Sequence, residues 1–582
     1  MADSYTIESI LAADCGAATT RVLLLDVVDD QYRFVAQGES PTTVTPPHND
    51  IVVGVIQAIR QLESIIGRRL LGDDEKLIRP ERSDGSGVDA FVATVSAAAP
   101  LRVVVAGLIP ELSVASALRA IAQVPARVEG TIFLGEGSDP TDQIDLIRRI
   151  RPDVVVMVGG TEGGAINALG ALADVVTMAG KLLERERRPE LVFAGNVGAR
   201  SMLADKASGL LDFYPVDNVR PTLNTEQPGP LVEELETLYA ERKMARLPGF
   251  GRLSAWSPVA VTPGSKAFGQ VVQFVAEQYG LNVLGVNLGS SQTLLASAVD
   301  KNYTLASGTG WGVGQGARQV LSDAAPGDVS RWILQEDVVV TDGIDAAMTK
   351  ALYPRSPATT PLELQAEQAL AREALRLTKE RAMQIWPTGA YRPYAELPPL
   401  WDLILLAGGY LTHQPNFGQA ALMVLDALQP IGICTLAADV LGLTEVFGAI
   451  GAVQPVAATQ ILERDGIVTL GSLVCPVGTA KEGEPVLRAK LTYPSKQVLN
   501  LEVTYGSIEV IPLPAGQKAT LELRPSRQFD IGWGRSGRGA VAEVDGGALG
   551  VIIDARGRPL QIPQDEEVRR RLLQEWRWNI GY

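Results

Sequence analysis

The chain has 582 residues, which at roughly 150 residues per domain suggests about two to four domains. A hydrophobic content of 46% is enough for sizeable cores, and 58 glycines with 36 prolines imply many turns without a collagen-like or low-complexity pattern. The formal charge of -15 excludes a general attraction to nucleic acid or to an acidic membrane surface, while leaving room for a local basic pocket.

Cysteine and histidine usage narrows the chemistry further. Cys15, Cys434 and Cys475 form no CxxC pair and no disulfide framework, His48 and His413 are the only histidines, and no cluster resembles a zinc site. A reducing cytoplasm is the expected compartment. The opening MADSYTIESILAADCGAATT lacks a basic region followed by an uninterrupted apolar core, and no apolar run is long enough to span a bilayer.

Taken in chain order, LAADCGAATTRVLLLDVVDD (11–30) reads as two strands joined by a tight turn of small residues, with Asp14 at its start. NDIVVGVIQAIRQLESIIGRR carries apolar residues at helical spacing, and residues 73–87 form a polar loop. RVVVAGL is a strand candidate, followed by a helix beginning with Ser113. VEGTIFLG then precedes a helix opened by Asp139 and Pro140. VVVMVGG (154–160) is a strand ending in glycines, INALGALADVVTMAGKLLERER is helical, and LVFAG is a further strand. This alternation predicts an α/β fold.

A less regular stretch occupies 215–264. VLGVNLGSSQTLLASAVD (283–300) then repeats the first hairpin with Asn287 in Asp14's place. Residues 363–386 read as a helix on the surface or between lobes, and WDLILLAGG (401–409) as a strand entering a loop. After about residue 485 short alternating segments predict a β-rich region to 562, with a terminal helix carrying Trp576 and Trp578.

The turn chemistry suggests a ligand. Gly16, Ala17 and Ala18 keep the first turn small, and Thr19 and Thr20 supply hydroxyls, so backbone N–H groups can cradle a phosphate. Asp14 would repel that phosphate unless Mg2+ or water lies between them. In the second turn Gly289, Ser290, Ser291 and Thr293 keep the cradle, but Asn287 lacks the charge of a general base or a strong Mg2+ ligand. An ordinary tight hairpin, with Asp and Thr satisfying backbone groups, also accounts for each stretch alone. Glycines of TLASGTGWGVGQG (304–316) line the same cleft or form a hinge.

DCGAATT (14–20), NLGSSQT (287–293) and LAGGYLTH (406–413) together resemble the actin-like ATPase superfamily, which includes sugar kinases and Hsp70-type ATPases. With DVVVMVGGTEGG (153–164), LVFAGNVGAR (191–200) and GGALGVIIDARGRPL (546–560), the chain more closely resembles the accessory L proteins encoded beside coenzyme-B12-dependent glutamate mutase. These are distinct from the DNA mismatch-repair protein of the same short name.

The resemblance implies two actin-like, ribonuclease-H-like lobes around a nucleotide cleft: 1–214 and 265–484, the second with a helical insertion near 330–390. A connector occupies 215–264, a β-rich domain 485–562 and a terminal helix 563–582. It implies ATP and Mg2+ as cofactors, with Asp14 at the metal. Gly16, Ala17, Thr19 and Thr20 would hold phosphate on one side, with Gly289, Ser290 and Ser291 on the other, and Gly408 and Gly409 at the adenosine. Asp14, Asn287 and Glu162 are the candidates for chemistry. Relatives generally carry Asp where this chain has Asn287, so hydrolysis is expected to be weak or absent.

The implied role is an accessory protein or chaperone for a protein partner such as a B12-dependent mutase. No nucleic-acid or membrane partner is expected, and nothing in the sequence fixes a homo-oligomer interface. A small-molecule kinase using the same cleft, and an inactive partner-binding protein, remain open.

Other residues have structural readings beside functional ones. Glu162 and Thr161 sit at a strand's carboxyl edge, where α/β sheets collect ligands, or form a packed turn. Asn196 and Arg200 read as residues reaching an anionic cleft, with a salt bridge the favoured reading of Arg200, and His413 as a neighbour of adenine or ribose. Asp439 reads as the cap of a helix starting at Val440, Cys15 as a packed turn residue, and Arg556 and Arg558 as exposed residues of a hairpin turn.

Overall fold

The computed structural model describes residues 7–134, 139–334 and 340–581. Gly135, in the expected strand VEGTIFLG, and residues 335–339 of the expected helical insertion lie outside the described residues. Two compact units form: one from the chain up to Ala97 and from Pro248 onward, the other from Ala98–Leu247.

The first unit opens with β1 (Ile10–Cys15), β2 (Thr19–Val28) and β3 (Gln31–Pro41), an antiparallel meander, followed by β4 (Ala90–Val95), parallel to β1. The intervening helix Ile51–Ile66 buries Ile51, Val52, Val55, Ile59 and Leu62 at helical spacing. Asp50 caps it by accepting from the Val52 N–H, and Gly67 closes it in the left-handed conformation.

The second unit holds β5 (Leu101–Gly107), β6 (Ala126–Phe133), β7 (Val154–Met157), β8 (Glu190–Phe193) and β9 (Phe213–Pro215). All are parallel, in the order β6-β5-β7-β8-β9. This is the 2-1-3-4-5 order of a doubly wound sheet. Its central strands are near-continuous runs of Val, Leu and Ala because helices cover both faces. Asp139 caps the helix Pro140–Ile150, as expected. Residues 1–214, expected as one lobe, thus span two sheets in two units. The strand–helix rhythm continues unbroken through Ala98, and periodicity carries no information on which strands pair.

The first unit resumes with β10 (Thr262–Pro263), parallel to β4, giving the sheet order β10-β4-β1-β2-β3. After the helix Gly264–Tyr279 come β11 (Val283–Leu288), β12 (Gln292–Val299), β13 (Asn302–Thr309), β14 (Leu403–Ala407), β15 (Gly432–Asp439) and β16 (Ile467–Cys475). Here the order β13-β12-β11-β14-β15 repeats that of the first sheet, with the same strand directions. The unit therefore contains two actin-like, ribonuclease-H-like lobes. One apolar cluster joins Ile10, Leu23 and Val92 of the first sheet to Val283, Leu294 and Ala296 of the second, with Phe268, Val271 and Phe447 also in it. Burying that shared surface orients the two sheets relative to each other.

The C-terminal segment is β-rich, as expected. It holds β17 (Pro485–Thr492), β18 (Val498–Thr504), β19 (Ile508–Ile511), β20 (Lys518–Pro525), β21 (Ala540–Asp545) and β22 (Gly550–Asp554). Four of these form the sheet β18-β17-β20-β21, while β22 pairs in parallel with β16 and β19 with β22, extending the second lobe's sheet to eight strands. The helix Pro361–Met383 is no surface helix: Glu367, Gln368, Arg372 and Glu373 are all buried on it. Arg556 and Arg558, expected to be exposed, are buried as well, each bonded to Asp554. Their environment is set by β22, which no local turn pattern reveals. In the terminal helix Glu566–Asn579, Trp576 is buried and Trp578 is exposed.

Candidate functional site

The two hairpins are built alike. In the first, Asp14 lies opposite Arg21 and Cys15 opposite Thr20; in the second, Asn287 lies opposite Leu294 and Leu288 opposite Thr293. Each turn is closed by one glycine: the Gly16 N–H donates to Thr19 O at 3.0 Å, and the Gly289 N–H to Gln292 O at 2.9 Å. Asp14 and Asn287 are each the second-to-last residue of a strand flanked by a parallel neighbour, β4 or β14. Among the described residues, the amides of Ala17, Ala18, Ser290 and Ser291 donate to no protein acceptor.

Both turns line one cavity of about 550 Å³. Gly16, Ala17 and Thr19 lie on it with Asp14; Gly289, Ser290 and Ser291 lie on it with Asn287; Gly408, Gly409 and His413 complete it. Gln315 Nε2 donates to Ala17 O at 2.9 Å, tying the turns together, and the Gly314 N–H donates to Ser290 O at 2.9 Å. Gly408 has φ of +80°, and a Cβ there would sit 2.5 Å from Leu288 O and 2.8 Å from Asn287 Oδ1. Only glycine lets this loop approach the second hairpin so closely. The His413 ring places Nδ1 3.1 Å from Gly409 O.

Two expected residues lie elsewhere. Thr20 follows the inward-facing Thr19 on β2, so its side chain points the opposite way, into the interior; Thr20 is fully buried and off the cavity wall. Glu162 belongs to the other unit, where it accepts from Asn218 Nδ2 at 2.8 Å and from the Val197 N–H at 3.2 Å. Arg200 is in that unit too, ion-paired with Asp217 at 3.2 Å, as expected. Cys15 is buried, and burial pushes its thiol up, which suits a packed turn residue rather than a nucleophile.

Glu445 is the cavity residue that sequence reasoning missed. It follows β15 on a loop pinned by Asp439, whose Oδ1 accepts from the Leu441 and Gly442 N–H groups and whose Oδ2 accepts from the Thr444 N–H. Asp439 therefore anchors this loop instead of capping a helix at Val440; the helix begins at Phe447. Glu445 Oε1 accepts from Asn287 Nδ2 at 3.0 Å, so a carboxylate stands beside the residue that lacks one. Burial raises the Glu445 carboxyl, and the charges of Asp439 and Asp14 raise it further. Burial also raises Asp14, against the pull of Arg21. The sequence signal was available as an acid directly before the run VFGAIGAV, but only the pairing of β15 with β14 brings it to Asn287.

This contact makes a direct prediction. In Asn287→Asp the donor to Glu445 becomes a second acceptor, leaving two carboxyl groups in contact. The variant is expected to lose about 1–3 kcal/mol of stability, read as a lower urea midpoint at neutral pH. An unchanged midpoint would mean that the hydrogen bond carries no weight.

Among the described residues, no group of three or more His, Cys, Asp or Glu side chains is arranged to hold a metal ion. That arrangement still suits Mg2+, which keeps several waters and binds one or two carboxylates together with substrate phosphates. Asp14, on the cavity wall beside the unpaired amides of the first turn, fits that requirement. No described helix is long and apolar enough to cross a membrane.

Comparison with known proteins adds a family. Protein MutL of Clostridium tetanomorphum is 25% identical over 305 residues, covering 50% of this chain and 58% of that protein, so the match spans little more than half of the relative's length. Among solved structures, nucleotide-free acetone carboxylase aligns over 86% of this chain and 81% of its own, at 11% identity and a TM-score of 0.30. Glycerol dehydratase reactivase aligns over 72% and 95%, at 13% identity and a TM-score of 0.27. The ethanolamine utilization protein EutJ of Carboxydothermus hydrogenoformans aligns over 78% and 89%, at 10% identity and a TM-score of 0.27. At such scores these likenesses carry no weight beside the strand order itself. The profile of the family described as MutL protein matches residues 10–466, and the chain belongs to that family.

Proposed function

We propose that this protein binds ATP with Mg2+ in the hairpin cavity and acts as a nucleotide-dependent accessory protein or chaperone for a protein partner. The observation that carries this reading is the pair of matched turns on one cavity, each offering two backbone amides without a protein acceptor. Such amides are suited to a polyphosphate. Ala17, Ala18, Ser290 and Ser291 would hold the phosphates, with Gly408 and Gly409 facing the nucleoside. Asp14 would hold Mg2+ through its carboxylate or a bound water. When bound, Mg2+ would neutralise phosphate charge and fix the orientation of the phosphate tail.

Asn287 lacks a carboxylate, so it can position a water but cannot take its proton. Glu445, hydrogen-bonded to Asn287, is assigned the missing role of accepting that proton, with slow hydrolysis as the consequence. The resemblance to glutamate mutase accessory proteins supports a B12-dependent mutase as the partner. A binder that performs no hydrolysis is the second reading, and Asn287 is the observation that favours it.

Calorimetry with Mg-ATP tests the cleft. The native protein is expected to bind, and Asp14→Ala to bind about 10- to 100-fold more weakly, the loss of a charge-assisted contact. Absence of binding to the native protein would reject the nucleotide site. Binding without any turnover would favour the second reading.

A further inference from the structure

The unit Ala98–Leu247 has a cavity of its own, of about 480 Å³, at the amino-terminal edge of its parallel sheet. Its walls come from the segments that enter β7, β8 and β9 and from the stretch by which the chain leaves the unit. In a chain of net charge -15, this wall sets six arginines against four carboxylates, those of Asp153, Glu186, Glu190 and Asp212, an excess of positive charge. Arg242 is ion-paired with Glu190 at 2.7 Å. Arg151, Arg185, Arg188 and Arg246 have no carboxylate within ion-pair distance among the described residues.

Hydrogen bonding at this wall is incomplete in a particular way. Nε of Arg188 and Nε of Arg242 are buried donors without an acceptor, and Oε2 of Glu190 is a buried acceptor without a donor. Glu190 is only 9% exposed. Each such orphan costs about 1–3 kcal/mol if nothing fills it. Cations at helix C-termini are common because they offset the helix dipole, and Arg151, the left-handed cap of the helix Pro140–Ile150, is explained that way. That explanation does not extend to Arg188 and Arg242, which line the same cavity as Glu190 and whose Nε atoms, like Glu190 Oε2, lack a partner.

The geometry points to a binding site here for a small phosphomonoester that also carries a hydroxyl or amino group. Guanidinium forks match phosphate oxygens, so the phosphate would meet Arg188, Arg242 and Arg246. The ligand's own O–H or N–H would donate to Glu190 Oε2, a demand that a bare anion does not meet. The cavity volume suits a ligand of metabolite size. This site is independent of the hairpin cavity, all of whose lining residues lie in the other unit.

The test uses the full chain with glycerol 3-phosphate as the probe, and glycerol and sodium chloride at matched ionic strength as controls. Calorimetry is expected to show binding to the probe alone, with hydrogen exchange slowed in peptides covering 183–191 and 239–247. Arg246 is exposed, so Arg246→Gln should fold normally; it and Arg188→Gln are each expected to weaken binding about tenfold or more. Three results would overturn the proposal: no binding at about 5 mM probe, binding unchanged in both variants, or protection confined to residues 14–20 and 287–293.

Discussion

Asp554→Ala is expected to destabilise the protein by about 3–5 kcal/mol, the cost of leaving buried charges without their counter-charge. Asp554 is fully buried, with Oδ1 accepting from Arg556 Nε at 2.8 Å and Oδ2 from Arg556 Nη2 at 2.9 Å and Arg558 Nη2 at 2.7 Å. Arg556 continues to Asp426 at 2.6 Å, and Asp426 to Arg372 at 2.7 Å. Arg556 stacks 4.6 Å from the Trp576 ring centroid, and Arg372 stacks 5.0 Å from that of Trp332. This network links β22 to the helices Pro361–Met383, Phe417–Ala427 and Glu566–Asn579. Among the described residues, removing this carboxylate leaves the Arg558 guanidinium with the carbonyls of Pro430 and Gly557 and the Cys475 side chain, and no counter-charge.

The pH dependence follows from the same groups. Burial alone pushes the Asp554 carboxyl up, but the charges of Arg556 and Arg558 outweigh it and hold the carboxyl well below its ordinary value. A depressed folded-state value contributes stability above the unfolded pKa of about 3.9 and loses it as pH falls toward the folded value. The gap between native protein and Asp554→Ala, measured by urea unfolding, should therefore be full at pH about 7 and narrow progressively below pH about 4. A midpoint difference under about 1 kcal/mol at neutral pH would show that the arginines reach water or another partner, contrary to this account.

Glu445→Gln is expected to lower ATP turnover by about 100- to 10,000-fold while leaving Mg-ATP affinity near that of the native protein, the pattern of a lost general base. Glutamine keeps the side chain's shape and an oxygen that can accept from Asn287 Nδ2, so the loop after β15 should hold its place. It removes the capacity to take a proton at that position. The melting temperature serves as the control and should not fall, because the substitution also relieves repulsion from Asp439 and Asp14. Equal turnover in native protein and variant would remove Glu445 from the chemistry. A matched loss of affinity and turnover would instead assign it to positioning of the bound nucleotide.

Much of this site was legible before folding was considered. DCGAATT and NLGSSQT announce themselves because tight turns between paired strands need small residues at fixed local spacing, and spacing is a property of adjacent positions. The same holds for the Asp139 cap, whose partner lies two residues away along the chain. Glu445 was not legible because its significance depends on Asn287, 158 residues away, and only sheet order brings them together. Thr19 and Thr20 look equivalent in one dimension, but strand alternation sends one to the cavity and the other to the core.

Local chemistry thus specified the α/β character, the two small-residue turns, the glycine pair at 408–409 and the Asp139 cap, since each arises from neighbours within a few residues. Long-range pairing settled the rest. It gave residues 98–247 a sheet of their own, added β19 and β22 to the second lobe, and turned two arginines of an apparent surface turn into the centre of a buried ion network. The physical reason is that strand partnership and burial are set by surfaces that meet only after the chain has closed long loops, and one-dimensional periodicity is the same whichever partner a strand finds.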